Sequence, residues 1–118
     1  MQSDATRDLV VAALDDAKGQ DLRVLDVRHL TSITDWMIVV SGRSDRHVRA
    51  LADAVLERGR EAGLRPLGVE GQQGGEWVLV DFGDVLLHVM LPRVRDFYNL
   101  EKLWDIGPGR EGGAARGS

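Results

Sequence analysis

Apolar residues along the chain switch between two periods, and the switches mark the elements. Leu9, Val10, Ala13, Leu14 and Ala17 recur at helical spacing, so residues 1–20 are expected to form an amphipathic helix. Ser3 or Asp4 can cap its start, and Gly19 can stop it. Residues 22–27 then alternate, with Leu22 and Val24 on one side and Leu25 and Val27 on the other, as in a short strand. Residues 35–41 are apolar almost without a break from Trp36 to Val40, which suits a central strand covered on both faces. The helical period returns at Val48, Leu51, Ala52, Val55 and Leu56. Ser44 is placed to cap that helix, Asp45 sits where the helix dipole favours an acid, and Gly63 ends it.

Residues 65–70 are a third strand candidate, and Pro66 suits an edge or a strand start. A Gly-rich loop over 71–75 leads into two strand-like runs, 77–81 and 85–90, joined tightly through Phe82, Gly83 and Asp84. Pro92 stops the last run and can open a short helix or turn through Tyr98. Leu100, Leu103 and Trp104 form one more apolar cluster. Residues 105–118 carry five Gly and no large apolar side chain after Ile106, so a disordered tail is expected there. The order α-β-β-α-β-β-β-α predicts an α/β fold. Its centre is a mixed, mostly five-stranded sheet with one parallel crossover and helices packed on it, in a single domain over 1–104.

Composition narrows the function. The 118 residues suffice for one domain and a real core. Cysteine is absent, which excludes disulfide and thiol chemistry. No signal peptide or membrane span is visible, so a cytoplasmic protein is expected. The net charge of −4 counts against nucleic acid as the main partner, and no sequence-specific binding of it is expected. Charge is uneven. Residues 21–65 hold eight Arg and seven acids, whereas between Pro66 and Pro92 there are four acids (Glu70, Glu76, Asp81, Asp84) and no Lys or Arg. Such a segment offers the complementary sign to a basic protein.

Several motif echoes lead nowhere. Asp81-Phe82-Gly83 spells the kinase magnesium triplet without the Gly-rich loop or catalytic loop that would support it, and a hairpin turn explains it. His29, His47 and His88 have no helical i, i+4 spacing, so no metal site is expected; His88, between Leu87 and Val89, reads as a partly buried, hydrogen-bonded side chain. Gly42-Arg43-Ser44 after an apolar strand also occurs in nucleotidyltransferases, where helix-start N–H groups hold phosphate. Those enzymes need clustered carboxylates for a metal, and only Asp53 and Glu57 follow. No catalytic residue, metal ligand or cofactor is therefore assigned. A metal-dependent nucleotidyltransferase-like enzyme and a dimeric scaffold for some other partner are the alternatives to a binding function. The Arg side chains of 43–60 read as a solvated face with interleaved acids.

Trp77 is the remaining candidate. In a strand Trp77, Leu79 and Asp81 share one face and Val78 and Val80 the other. With the valines inward, Trp77 and Leu79 point out among acids, the anatomy of a binding hot spot. Trp77 packed beneath a helix is the other arrangement the pattern allows.

The ordered set Asp35, Ser41-Gly42-x-Ser44, Val48, Ala50, Ala52 and Gly68-Val69-Glu70-Gly71 resembles the ribosomal silencing factor family, RsfS, also called iojap. So do Glu76-Trp77-Val78-Leu79-x-Asp81-x-Gly83-Asp84 with His88, and Tyr98-x-Leu100-Glu101-x-Leu103-Trp104, so that the likeness spans about residues 5–104. Trp36 stands where Tyr or Phe is usual. The resemblance implies a fold related to minimal nucleotidyltransferases without their catalytic carboxylates, and a non-enzymatic role. It implies binding to the large ribosomal subunit through ribosomal protein L-fourteen, which blocks joining of the small subunit and represses translation, and a homodimer when free. The contact surface it implies carries onto Trp77 and Leu79, and further onto Glu76, Asp81, Tyr98 and Glu101.

Overall fold

Strand β2 (Trp36–Ser41) is buried at every position, as its unbroken apolar run requires. The computed structural model describes residues 2–104. Around β2 stand α1 (Ser3–Asp16), β1 (Gln20–Asp26), α2 (Asp45–Glu61), β3 (Gly68–Glu70), β4 (Trp77–Asp81), β5 (Val85–Met90), α3 (Pro92–Tyr98) and α4 (Leu100–Trp104). The five-stranded sheet has the order β1-β2-β5-β4-β3. β2 and β5 run parallel and the other neighbours antiparallel. Helix α2 carries the chain from β2 past two strand positions to the edge at β3, and β4 and β5 return to meet β2. The mixed α/β sheet with one crossover is as expected.

Helices α1 and α2 lie on one face. Val10, Leu14, Val48, Leu51 and Val55 pack there on Ile38, Val40, Val78, Val80, Leu87 and Val89. The start of β2 is pinned as well. Trp36 donates its indole N–H to Asp4 (3.3 Å), and the guanidinium groups of Arg7 and Arg28 lie 4.5 and 4.9 Å from its ring centroid. The wider indole, in place of Tyr or Phe, gives both cations a ring to cover.

The opposite face is covered unevenly. Val94 of α3 and Leu100 of α4 pack on Leu25, Val27, Met37, Val39 and Met90, over the β1–β2 side. Toward β3 and the rest of β4 no helix follows among the described residues, and Trp77, Leu79, Leu86 and His88 are half-buried.

Three expectations are corrected. Helix α1 stops at Asp16, and Gln2 precedes it as an N-cap without a side-chain bond, so neither Ser3 nor Asp4 caps it. Lys18, not Gly19, takes the left-handed turn (φ 65°). Gly19 serves close approach instead: a Cβ there would lie 2.6 Å from Val40 Cγ2. The third strand is only three residues long, a short edge of the kind that resists pairing with other chains. The expected tail over 105–118 lies outside the described residues. Ser44, by contrast, caps α2 as read, accepting from the His47 N–H at 3.1 Å.

Candidate functional site

The half-covered face is built from β4, β5 and α3. Val78 and Val80 are fully buried under α2, so the pleat turns Trp77, Leu79 and Asp81 to the other side. Leu79 pairs with His88 across the β4–β5 ladder, which brings His88 beside Trp77. The indole N–H of Trp77 donates to His88 Nδ1 at 3.0 Å. On its other side Trp77 meets Tyr98, with ring centroids 4.9 Å apart and planes tilted by 47°. Phe97 stands edge-on to Tyr98 at 4.9 Å. Phe97 is 80% exposed and Tyr98 53%.

Local geometry holds these groups in place. At Gly71 (φ +86°) a Cβ would sit 2.0 Å from the Trp77 carbonyl oxygen, so the β3–β4 turn presses against the start of β4 and tolerates only glycine. Asp81 Oδ1 accepts from the Gly83 N–H (2.7 Å), closing the turn before β5. Pro92 opens α3 and Asn99 ends it in the left-handed conformation, which separates α3 from α4.

Trp77 divides two grooves. One, of about 400 Å³, is lined by Glu76, Arg93, Val94, Phe97 and Tyr98 as well as Trp77. The other, of about 300 Å³, is lined by Glu70, Gly71, Leu79 and His88 as well as Trp77. Trp77 therefore stands as a half-buried ridge between two hollows, with acids at the rims. Neither arrangement weighed for it from sequence fits alone. Its indole packs on α3 through Tyr98, and it still lines open surface.

The six residues singled out from sequence are placed differently from one another. Trp77, Leu79, Tyr98 and Glu76 share this face, with exposed Glu76 paired to Arg93 at 3.1 Å. Asp81 lies at the far end of β4 and spends one oxygen on its own turn. Glu101 is turned toward Arg95, whose Nε and Nη2 reach its two oxygens at 2.8 and 3.0 Å. Arg95 is itself buried and also donates to Ser41 Oγ at 2.9 Å, tying α3 and α4 to the end of β2. Sequence reasoning missed Phe97 and Arg95. Phe97 beside Tyr98 was the available signal for the first; an arginine in a seven-residue helix carries none for the second.

His88 has a measurable consequence. Burial without a charged partner pushes its pKa down to about 4 from 6.5. Between those values the unfolded chain binds a proton that the folded chain refuses, so stability falls as pH drops through that window. The loss should reach on the order of 2–3 kcal/mol by pH 4. Asp26, held down to about 2 by hydrogen bonds from Arg28, titrates below that range. Urea unfolding at pH 7 and at pH 4.5 should show the drop, and His88→Gln should reduce it.

The remaining alternative chemistry has structural explanations. A Cβ at Gly42 would lie 2.8 Å from the Val48 backbone nitrogen, so Gly42 lets β2 run close under α2, and Ser44 is occupied as its cap. Glu57 pairs with Arg60 and Asp53 is exposed. Among the described residues no three His, Asp or Glu side chains are grouped to hold a metal. Of the α2 arginines, Arg49, Arg58 and Arg60 pair with Asp45, Asp16 and Glu57. No helix among the described residues is long and apolar enough to cross a membrane.

Residues 1–115 match the family described as "Ribosomal silencing factor during starvation". The chain belongs to the RsfS family. A ribosomal silencing factor RsfS from Chromobacterium violaceum is 53% identical over 96 residues, which cover 81% of this chain and 79% of that one. A crystal structure of a protein from the same organism superposes with a TM-score of 0.87 at 47% identity, over 98% of this chain and 93% of the other. More distantly, the mouse protein named "Mitochondrial assembly of ribosomal large subunit protein 1" is 32% identical over 102 residues, which span 84% of this chain and 45% of that protein. RsfS membership makes this a ribosome-associated regulator of translation.

Proposed function

We propose that this RsfS-family chain represses translation by docking on the large ribosomal subunit through ribosomal protein L-fourteen, where it stands in the way of the small subunit. The observation that carries this reading is the half-covered sheet face. Trp77 stands there between two grooves, with Leu79, Tyr98 and Phe97 around it and Glu70 and Glu76 at the rims. Aromatic anchors set in a polar rim are where binding energy concentrates. Ribosomal proteins are mostly basic, and the acids of 67–91 supply the opposite sign. Steric exclusion needs no catalytic group, only a body of this size held in the joining surface, and no metal or cofactor has a role in it. The mouse relative's name supports the large subunit as the place of action.

Within this reading Glu76 and Asp81 supply charge at the contact, and Glu101 acts from behind through Arg95. The place of action is the cytoplasm. When free, the chain pairs with a second copy as a homodimer, and the exposed Phe97 and Tyr98 offer apolar surface for that. Light scattering on the eluting protein reads its mass directly.

A sucrose gradient tests the main proposal. Tagged protein should migrate with free large subunits and be absent from whole ribosomes, and its addition to separated subunits should reduce their joining. Migration at the top of the gradient would overturn it. A lysate pull-down that brings down a partner and no ribosomal protein would favour the scaffold reading.

A further inference from the structure

His88 has a second nitrogen that the fold does not use. An indole N–H can only donate, so the bond from Trp77 fixes His88 Nδ1 as a bare acceptor and puts the ring proton on Nε2. Among the described residues nothing accepts from that Nε2–H. His88 is half-buried and lines the groove of about 300 Å³ together with Glu70, Gly71, Trp77 and Leu79. A neutral donor therefore stands in a largely apolar hollow, and leaving it unmatched when a partner covers the face would be costly.

The rim decides what can match it. Glu70 is exposed, lines this groove and has no ion-pair partner among the described residues. Glu76 lies just before β4 and Asp81 at its far end, and Asp81 is already engaged with its turn. Of the other charged or titratable groups near this face, Arg93 is paired with Glu76, and Arg95 is turned to Glu101 and Ser41. A carboxylate or phosphate entering beside Glu70 would meet like charge with no cation in the groove to offset it. A neutral acceptor meets no such penalty, and a basic side chain next to it would find Glu70.

We propose that the groove between Glu70 and Trp77 receives a main-chain carbonyl of the protein partner, bonded by the His88 Nε2–H, with a basic side chain of that partner against Glu70. The proposal rests on the docking function above and deepens it. It makes the contact at this point protein rather than ribosomal RNA, and it gives His88 two separable roles, one toward Trp77 and one toward the partner.

The two roles call for two variants. Asparagine can place an oxygen near the position of Nδ1 but nothing near Nε2; glutamine reaches the Nε2 position with its amide. Binding of the full chain to purified large ribosomal subunits should weaken roughly ten-fold for His88→Asn, the scale of one lost neutral hydrogen bond. The Trp77 indole ¹⁵N–¹H resonance should meanwhile keep its hydrogen-bonded position. His88→Gln should retain most of the affinity. Equal losses in both variants, or wild-type binding by His88→Asn with the indole bond intact, would overturn the assignment. Glu70→Lys, at an exposed position that leaves the core untouched, decides the matter if the His88 variants unfold. It should weaken binding for a basic protein partner, whereas tighter binding would place RNA phosphate in the groove and overturn the proposal. Failure of the wild-type chain itself to bind large subunits would instead remove the docking function on which this rests.

Discussion

Trp77→Ala is expected to lower affinity for large ribosomal subunits by roughly thirty-fold to a thousand-fold, enough to abolish co-sedimentation. Trp77 is the ridge between both grooves, so its truncation merges two shaped hollows into one flat depression and removes the ring that walls both. It also removes the ring that Tyr98 packs on, and with it the support for the exposed Phe97. Hot-spot aromatics of this kind cost about 2–4 kcal/mol on truncation, which is a factor of about thirty to a thousand. The fold should survive. Trp77 lies at the margin of the second core cluster, not in the centre of either, and the loss of packing should cost about 1–3 kcal/mol. Circular dichroism and a thermal melt establish that the variant is folded, and the gradient establishes whether it binds. A folded Trp77→Ala protein that still migrates with large subunits would remove Trp77 from the contact.

Arg95→Ala is expected to be the most damaging single change to stability on this side of the sheet, at about 3–5 kcal/mol. Arg95 is only 8% exposed, and its guanidinium satisfies Glu101 at two points and Ser41 at a third. Removing it takes away the closest partner of the poorly hydrated Glu101 carboxylate, leaving Arg23 at 3.4 Å on its outer side, and cuts the link between α3, α4 and β2. For a domain of this length the melting temperature should fall by roughly 10–20 °C. Glu101→Gln should cost less, because an amide oxygen can still accept from Arg95. A double-mutant cycle on Arg95 and Glu101 should show strong coupling. Independent effects would mean that Glu101 acts elsewhere, including at a partner. Ribosome binding by Arg95→Ala should fall in step with loss of folded protein, since Arg95 acts by holding α3, and through it Tyr98, in place.

These two residues also show where sequence was informative and where it was not. Trp77 could be singled out because strand pleating is a local rule: once Val78 and Val80 face the helices, Trp77 and Leu79 must face away. The turn was equally readable, because Asp81 and Gly83 satisfy it within three residues. Strands β4 and β5 accordingly begin and end where the alternation does. Arg95 was invisible for the opposite reason. A charged side chain on a short helix is normally solvated, and only the arrival of Ser41, 54 positions away, together with Glu101 gives it an interior. Glu101 in turn reads as one more exposed acid until Arg95 is seen beside it. The end of α1 misled because Gly19 had two possible uses, a left-handed stop and a close approach to Val40. Only the packed sheet shows that it serves the second while Lys18 takes the first.

Sequence alone determined the α/β class, the central place of β2, the strand alternation that sets Trp77 apart from its valine neighbours, the acidic sign of the surface and the family. Each of these follows from covalent neighbours, from a period or from an ordered set of residues. Tertiary structure decided which part of the second sheet face stays open, that Trp77 gives its N–H to His88 and its ring to Tyr98, and that Glu101 turns inward. A side chain's exposure depends on what comes to lie over it. Among the described residues that cover is α3 and α4, which lie over the β1–β2 side of the sheet and reach β4 only at its start, where Tyr98 meets Trp77.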